Sequence, residues 1–122
     1  MIITRTPYRI SFFGGGTDYY AWYEEHGGDV LSTSINHYNY ISFRYLPPFN
    51  TEYRNRIVWK ILEHPETVDE IHHNAIRAAL KYYNVQQGVE LSNQCDLPAR
   101  SGLGSSSSFC AGLIKAIYAL KG

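Results

Sequence analysis

A glycine- and serine-rich segment near the carboxyl end has the residue types and spacing to bind phosphate. Residues 98–109 read PARSGLGSSSSF, and a helical pattern follows at once. Glycines permit the backbone angles that let several N–H groups point into one concave turn. The free N–H groups and the positive dipole end of a following helix favour an anion at the same place. The segment therefore predicts a phosphate loop that leads into a helix.

The spacing of this segment separates it from other phosphate-binding motifs. No GK[ST] follows the glycines, as a Walker loop requires, and the pattern is not the GxGxxG of dinucleotide-binding folds. An ordinary serine-capped helix after a glycine turn is the alternative interpretation. Six fixed positions in Pro-x-x-x-Gly-Leu-Gly-Ser-Ser arise by chance about once in 10⁷ windows, which favours the phosphate interpretation.

A second segment near the amino end joins an arginine, three glycines and a carboxylate. Arg9 lies in a strand-like run that ends at glycines 14–16, and Thr17 and Asp18 follow. Asp18 could accept hydrogen bonds from sugar hydroxyls, and Arg9 could stabilise a transferring phosphoryl group. The alternative is a plain turn, with Asp18 capping the next helix and Arg9 in a surface ion pair.

Short β-branched and aromatic runs predict that strands dominate the first half of the chain. Pro7 and the turn-like pair Asn36-His37 are expected to divide these runs into separate strands. A further extended segment is expected near Trp59, and another directly before the phosphate loop. The predicted strands are Ile2–Arg5, Arg9–Phe13, Val30–Ile35, Tyr38–Tyr45, Arg56–Leu62 and Val89–Cys95.

Helices are predicted at three places. A short helix over residues 19–26 should end at a glycine cap formed by Gly27-Gly28. Apolar residues at three- and four-residue spacing predict a second helix over residues 72–83. The third follows the phosphate loop, with a wide apolar face formed by Phe109, Cys110, Leu113, Ile114, Ala116, Ile117 and Leu120. Strands that come early and helices that come late favour an α+β domain.

Bulk composition limits the range of functions. The chain has 122 residues, 44% of them hydrophobic, and a formal net charge of zero. One packed domain is expected, with no basic field to attract nucleic acid or an anionic membrane. A cytoplasmic location is expected because no long apolar run or signal-peptide pattern is seen. The two cysteines, Cys95 and Cys110, lack metal-site spacing and are expected to be buried thiols.

With both motifs in view, the chain resembles the GHMP superfamily, which is named for galactokinase, homoserine kinase, mevalonate kinase and phosphomevalonate kinase. The PARSGLGSSSSF segment is similar to the nucleotide loop of that family. Residues 6–18 resemble most the branch of D-glycero-α-D-manno-heptose 7-phosphate kinases, which phosphorylate an anomeric hydroxyl. The resemblance implies the family's amino-terminal α+β domain over residues 1–122, related to the second domain of ribosomal protein S5.

The resemblance also implies roles for individual residues. ATP would be held by the loop, Mg²⁺ would be bound through Ser106, and Arg9 would sit beside the reacting hydroxyl. Galactokinases carry Glu-His where this chain has glycines 15 and 16, so those sugar contacts do not transfer. The implied ATP-binding residues are Gly102, Leu103, Gly104, Ser105, Ser106 and Ser107. The implied substrate-binding residues are Gly14, Gly15, Gly16, Thr17 and Asp18.

The chain departs from that family in length, because family members are much longer. Their catalytic Asp, which lies downstream of the serine loop, and their carboxy-terminal domain have no counterpart in these residues. The 122 residues alone are therefore expected to lack kinase activity. Kinases of another sugar such as fucose, and a non-catalytic nucleotide- or sugar-binding module, stay open as alternatives. A homo-oligomer is possible.

A phosphorylated sugar would need a basic anchor, and the sequence offers several arginines for it. The sequence does not rank them. The candidates are Arg5, Arg44, Arg54, Arg56 and Arg100.

Overall fold

The computed structural model describes residues 1–99 and 101–122, which form one five-stranded sheet and three α-helices. The predicted α+β class is confirmed. In chain order the elements are β1 (Ile2–Phe13), α1 (Tyr20–His26), β2 (Leu31–Tyr45), β3 (Arg56–Val58), β4 (Leu62–Glu63), a 3-10 turn (Val68–Glu70), α2 (Asn74–Tyr82), β5 (Val89–Cys95) and α3 (Ser105–Lys121).

The strands lie in the order β1-β2-β5-β3-β4. The β3–β5 pair is parallel, whereas the other neighbouring pairs are antiparallel. Helix α3 contacts both β1 and β2, and α2 packs beside α3. The loop that precedes α3 therefore lies at the β1 edge of the sheet.

The first predicted strand pair is wrong, because residues 2–13 form a single strand. Pro7 does not end it, since β1 is an edge strand and a missing N–H on the free edge breaks no ladder bond. Pairing with β2 is regular up to Pro7 and resumes at Arg9 in a shifted register. Between these pairs, Tyr8 alone stands opposite residues 35–37 of β2, so the extra residues of the bulge lie on β2 and do not end β1.

The predicted turn at Asn36-His37 is also wrong, because β2 runs unbroken from residue 31 to residue 45. Tyr38 pairs with Pro7 and Ser34 pairs with Arg9, so the dipeptide lies within the same register irregularity. The local turn signal is overridden because β2 pairs with β1 on both sides of the dipeptide. The predicted segment 56–62 divides instead into β3 and β4, which pair as a short hairpin.

The hydrophobic core lies between the sheet and helices α2 and α3. Strand β5 runs over the predicted residues, and α2 buries Ile76 and Leu80 as its spacing predicted. Ile114 was expected on the buried face of α3 but is 39% exposed, because it lies about 100° around the helix from buried Leu113. The core is formed by Ile41, Phe43, Ile57, Ile71, Ile76, Leu80, Val85, Val89, Leu91, Phe109, Leu113, Ala116 and Ile117.

Gly112 lets α3 approach β1 closely. A Cβ atom at this position would lie 2.7 Å from Thr6 Oγ1 and 3.2 Å from Thr4 Oγ1. Thr4 Oγ1 also donates a hydrogen bond of 3.1 Å to the Gly112 carbonyl. The absence of a side chain at Gly112 therefore sets how close the middle of α3 lies to the edge strand.

Helix α1 connects the end of β1 to the start of β2 and lies outside this core. Helix α1 buries none of its residues, and it ends at Gly27 with a φ of 69°, as the glycine cap predicted. The exposed aromatic side chains here are Phe12, Phe13, Tyr19, Tyr20, Trp22 and Tyr23.

Candidate functional site

The two motifs singled out in the sequence meet at the edge of β1. The Arg9 N–H donates to the Leu103 carbonyl at 3.0 Å. One turn into α3, Ser108 Oγ donates to the Thr6 carbonyl at 3.0 Å. Because β1 is an edge strand, its outward backbone groups are free to hold the loop. The structure thus brings the arginine of the first motif against the glycine loop of the second.

Tyr8 holds the segment that leads into the glycine loop through a hydrogen bond. Its side chain is fully buried, and its hydroxyl donates to the Leu97 carbonyl at 3.3 Å. Burial, followed by the hydrogen bond with Cys95, raises the pKa of Tyr8 to about 12. The phenol therefore stays protonated and remains a donor to the loop. Sequence reasoning did not identify this residue.

The two loop glycines adopt the left-handed backbone conformation. Gly102 and Gly104 both have a φ of 74°. A Cβ on Gly102 would meet open space, whereas one on Gly104 would lie 2.9 Å from Arg9 Cγ. Both positions favour glycine for conformational reasons, and Gly104 also needs the space because the Arg9 side chain lies against it.

Helix α3 starts with N–H groups that have no helical partners. The first intrahelical bond is donated by Ser108 N to the Gly104 carbonyl at 2.9 Å, so the N–H groups of residues 105–107 precede it. Ser106 and Ser107 are exposed, and Ser105 is half-buried. Backbone donors, hydroxyls and the positive helix end therefore point to the same place, which suits a polyanion.

The glycine triplet after β1 is only partly open. A Cβ on Gly14 would lie 2.5 Å from the Asp29 carbonyl oxygen, so its missing side chain makes room for the chain's own backbone. Gly15 has a φ of 100°, and open space lies above both Gly15 and Gly16. Room for a ligand is therefore found over the second and third glycines.

Thr17 and Asp18 line a depression with Tyr23 and the Gly27-Gly28 turn. Asp18 is exposed, and its N–H closes a turn to the Gly15 carbonyl at 3.2 Å. Tyr19, rather than Asp18, is the N-cap of α1, so the capping alternative does not hold. Within the described residues, this depression shares no lining residue with the glycine loop.

A cavity of about 440 Å³ opens beside the start of α3. Trp59, His73 and Phe109 form aromatic walls: the His73 ring centroid lies 4.9 Å from that of each of the other two. The sequence analysis did not predict the cavity. The polar residues Asn39 and Asn93, which stand at core-facing positions of predicted strands, are the signal that could have indicated it. Its lining residues are Tyr8, Asn39, Trp59, Lys60, His73, Ala75, Asn93, Cys95, Ala99, Ser105, Ser106, Phe109 and Cys110.

Two titratable residues, His73 and Glu63, stabilise the aromatic wall of this cavity. Burial lowers the pKa of His73, and its Nδ1 accepts the Ile76 N–H at 3.4 Å as the cap of α2. Burial alone would raise the pKa of Glu63, but the net shift is downward because the His72 N–H and the Trp59 indole donate to it. Glu63 accepts those bonds at 2.8 Å and 2.5 Å. The charged carboxylate therefore fixes the Trp59 side chain.

Most of the predicted basic anchors have partners elsewhere. Arg44 and Arg56 bind Glu90 at 2.5 Å and 2.7 Å, toward the end of β5 away from the loop. The Arg5 guanidinium lies 4.3 Å above the Tyr38 ring. Arg54 lines a depression beside α2, and Arg100 lies outside the described residues. None of these contacts places an anchor beside Asp18.

The prediction that both cysteines are buried is wrong. Cys95 is exposed and Cys110 is half-buried. Cys95 is the last residue of β5, beyond the part of the sheet that the helices cover. Among the described residues, no group of three histidine, cysteine or acidic side chains could hold a metal ion. Likewise, no helix in the described ranges is both long and apolar enough to cross a membrane.

Comparison with known proteins gives a match for the part of the chain that carries the glycine loop. Residues 70–122 match the family described as GHMP kinases N terminal domain. These residues include α2, β5, the glycine loop and α3. A comparison with curated proteins gives no match.

Solved structures match over nearly the whole chain. A D-glycero-D-manno-heptose 1-phosphate kinase from Bacteriodes thetaiotaomicron is 21% identical with a TM-score of 0.77, over 96% of this chain and 41% of that one. A mevalonate kinase from Methanococcus jannaschii is 21% identical with a TM-score of 0.67, over 97% of this chain and 39% of that one. The chain thus spans about two fifths of the length of either kinase.

The class of protein follows from fold and family match together. The chain has the fold of a GHMP kinase N-terminal domain, and residues 70–122 match that family, in agreement with the resemblance seen in the sequence. At about one fifth identity, the likeness to the solved kinases establishes the fold and not their substrates.

Proposed function

We propose that this chain forms the nucleotide-loop part of an ATP-dependent, Mg²⁺-requiring kinase that acts on a sugar or sugar phosphate. The contact of Arg9 with Leu103 and Gly104 carries this proposal, because it joins the acceptor motif to the phosphate loop. In phosphoryl transfer, the protein mainly positions the reactants and stabilises charge. An arginine held against a phosphate loop suits that task.

ATP fits the loop on structural grounds. Gly102 leaves open space where a side chain would stand, and the first N–H groups of α3 lie beside it. The triphosphate would be held by these N–H groups and by the hydroxyls of residues 105–107. The neighbouring aromatic cavity offers apolar surface for the rest of a nucleotide.

Mg²⁺ would be bound through Ser106 together with phosphate oxygens. Magnesium keeps several waters and needs few protein ligands, so one exposed hydroxyl suits this role. When bound, the ion would neutralise charge on the phosphates. Arg9 supplies a second positive charge from the protein side, and its Nη1 donates to Ser11 Oγ.

The acceptor would lie over Gly15 and Gly16, with Thr17 and Asp18 beside it. Asp18 is an exposed carboxylate that can accept hydrogen bonds from sugar hydroxyls. D-glycero-D-manno-heptose 7-phosphate is the leading substrate, phosphorylated at its anomeric hydroxyl. Its support is the resemblance of residues 6–18 to that branch and the structural likeness to a heptose 1-phosphate kinase.

A kinase of another sugar, such as fucose, is the second candidate, because an open glycine turn does not select one sugar. Turnover of the full-length protein with a panel of sugars and sugar phosphates separates the two. The heptose assignment fails if another sugar is turned over with a higher kcat/KM than heptose 7-phosphate.

A non-catalytic binding module is the third candidate, because the chain spans only part of the solved kinases. Titration of the chain with ATP and Mg²⁺ tests it. Half of a kinase cleft should bind nucleotide weakly, whereas a complete binding module should bind it in the micromolar range or tighter. Tight binding by these residues alone would count against the kinase proposal.

A further inference from the structure

Glu63 is a carboxylate at a core-facing position of the sheet. Cross-strand partners point to the same face of a sheet. One such row crosses β2, β5, β3 and β4 and consists of Phe43, Leu91, Ile57 and Glu63. The first three are apolar and buried, and Glu63 is only 7% exposed. An apolar side chain would fill this place without the cost of burying a charge. The reason for a carboxylate here must therefore lie in the groups that it binds.

The two carboxylate oxygens of Glu63 hold two different segments. Oε1 accepts the Trp59 indole N–H at 2.5 Å, and Oε2 accepts the His72 backbone N–H at 2.8 Å. Trp59 lies in the turn between β3 and β4, whereas His72 comes just before α2. Hydrogen bonds to a charged group are stronger than those between neutral groups. Glu63 therefore fixes the Trp59 side chain relative to the start of α2.

The Trp59 indole belongs to a line of rings that reaches the helix after the glycine loop. It meets the His73 ring edge-on, and His73 in turn lies against Phe109 of α3. All three rings line the cavity, and so do Ser105 and Ser106 from the first turn of α3. A change in the orientation of the indole would therefore change the shape of the cavity directly beside the proposed phosphate site.

We propose that Glu63 is a positioning residue for nucleotide binding, which holds the Trp59 indole in the orientation that packs against the base. This inference rests on the proposed function, because it takes the phosphates to lie on the loop and the base to lie in the cavity. A large aromatic ring is a favourable surface for a planar base. Glu63 is not among the described residues that line the cavity, so its effect on the nucleotide passes through Trp59.

Titration of the W22F chain with Mg·ATP tests this role. The sequence has two tryptophans, so the emission of this variant reports on Trp59 alone. We expect E63Q in this background to lower the affinity for Mg·ATP about fivefold and to make Trp59 more accessible to the quencher acrylamide. The matched control is E70Q, which removes an exposed carboxylate that accepts the Glu66 N–H, and it should change neither quantity. An unchanged affinity in E63Q would overturn the proposal.

A double-mutant cycle separates positioning from a purely structural role. W59F removes the indole N–H through which Glu63 acts. In the W59F chain, E63Q should therefore lower the affinity for Mg·ATP no further, as measured by titration calorimetry. An equal loss of affinity with and without the indole would mean that Glu63 acts through the stability of the fold, and it would overturn the proposal.

A comparison of two ligands keeps the proposal testable if E63Q does not fold. Inorganic triphosphate carries the phosphates of ATP without the base. Both Mg·ATP and Mg·triphosphate should bind to the W22F chain, but only Mg·ATP should change the emission of Trp59. Binding of Mg·ATP that leaves this emission unchanged would overturn the inference and not the proposed function. No binding of Mg·ATP at millimolar concentration would overturn the proposed function, and the inference with it.

Discussion

The backbone N–H of Arg9 donates to the carbonyl of Leu103 at 3.0 Å, across 94 residues of sequence, and the Arg9 side chain lies against Gly104. This contact makes the loop and the edge strand one unit. A substitution in the loop should therefore shift the position of Arg9, and a substitution at Arg9 should shift the loop.

Substituting Gly104 by alanine should displace Arg9 as well as strain the loop. The new Cβ would lie 2.9 Å from Arg9 Cγ at a φ of 74°. We expect a loss of about 2 kcal/mol in the free energy of unfolding, measured by urea denaturation. The matched control is G102A, which has the same φ but open space, and it should cost only about 1 kcal/mol. Equal costs would show that the Arg9 contact contributes nothing.

On the proposed kinase function, replacing Arg9 by alanine should slow phosphoryl transfer by the whole enzyme. We expect kcat to fall about 100-fold with a smaller change in the KM for ATP, because the charge acts mainly in the transition state. Steady-state kinetics measure both constants. The control R44A removes an arginine that binds Glu90 instead, and it should leave kcat near the wild-type value. An unchanged kcat for R9A would remove Arg9 from the mechanism.

Alanine at Gly112 should destabilise the domain, although alanine normally stabilises a helix relative to glycine. The Cβ would lie 2.7 Å from Thr6 Oγ1, so α3 or the threonine must shift. We expect a loss of about 1–3 kcal/mol by thermal or urea denaturation. The control A111G, at the exposed neighbouring position, should lose only the helix propensity of about 1 kcal/mol. A more stable G112A variant would contradict the close packing.

Glu63 should make the domain sensitive to acid. Its folded pKa lies below the ordinary value of 4.5, so its contribution to stability is present above pH 4.5 and is lost as the pH falls through the folded pKa. The free energy of unfolding should therefore decrease below pH 4.5. In E63Q this decrease should be shallower. Parallel acid profiles for E63Q and the wild type would contradict this role.

The 122 residues alone should show no kinase turnover. A coupled ADP-release assay with Mg·ATP and heptose 7-phosphate should stay at background, because half a cleft does not fix both reactants. Turnover above background would mean that these residues contain the whole catalytic machinery. The same assay on the full-length protein is the positive control.

Sequence reasoning was most reliable where structure is set by near neighbours. Strand β5, the glycine cap of α1 and the buried face of α2 all lie where local patterns predicted them. It failed at Pro7 and at Asn36-His37, where breaking signals lie inside long strands. A break signal is a local preference of about 1–3 kcal/mol, and pairing along a whole neighbouring strand outweighs it.

The candidate site likewise has features that the sequence predicted and features that only the fold revealed. The glycine–serine loop and the helix after it could be predicted from the sequence because backbone angles and capping depend on adjacent residues. The cavity could not, because Asn39, Asn93 and Cys95 meet only when β2 and β5 pair. The arginine anchors were likewise unranked until Glu90 was found between Arg44 and Arg56.

For this protein, the sequence by itself determined the residue types and spacing of its two motifs: a glycine–serine loop predicted to bind phosphate and an arginine-to-aspartate stretch predicted to bind a sugar. Only the tertiary structure decided that Arg9 lies against that loop and that Cys95 faces a cavity. The physical reason is that conformational preference acts over a few residues, whereas contacts between distant segments depend on sheet register and helix packing.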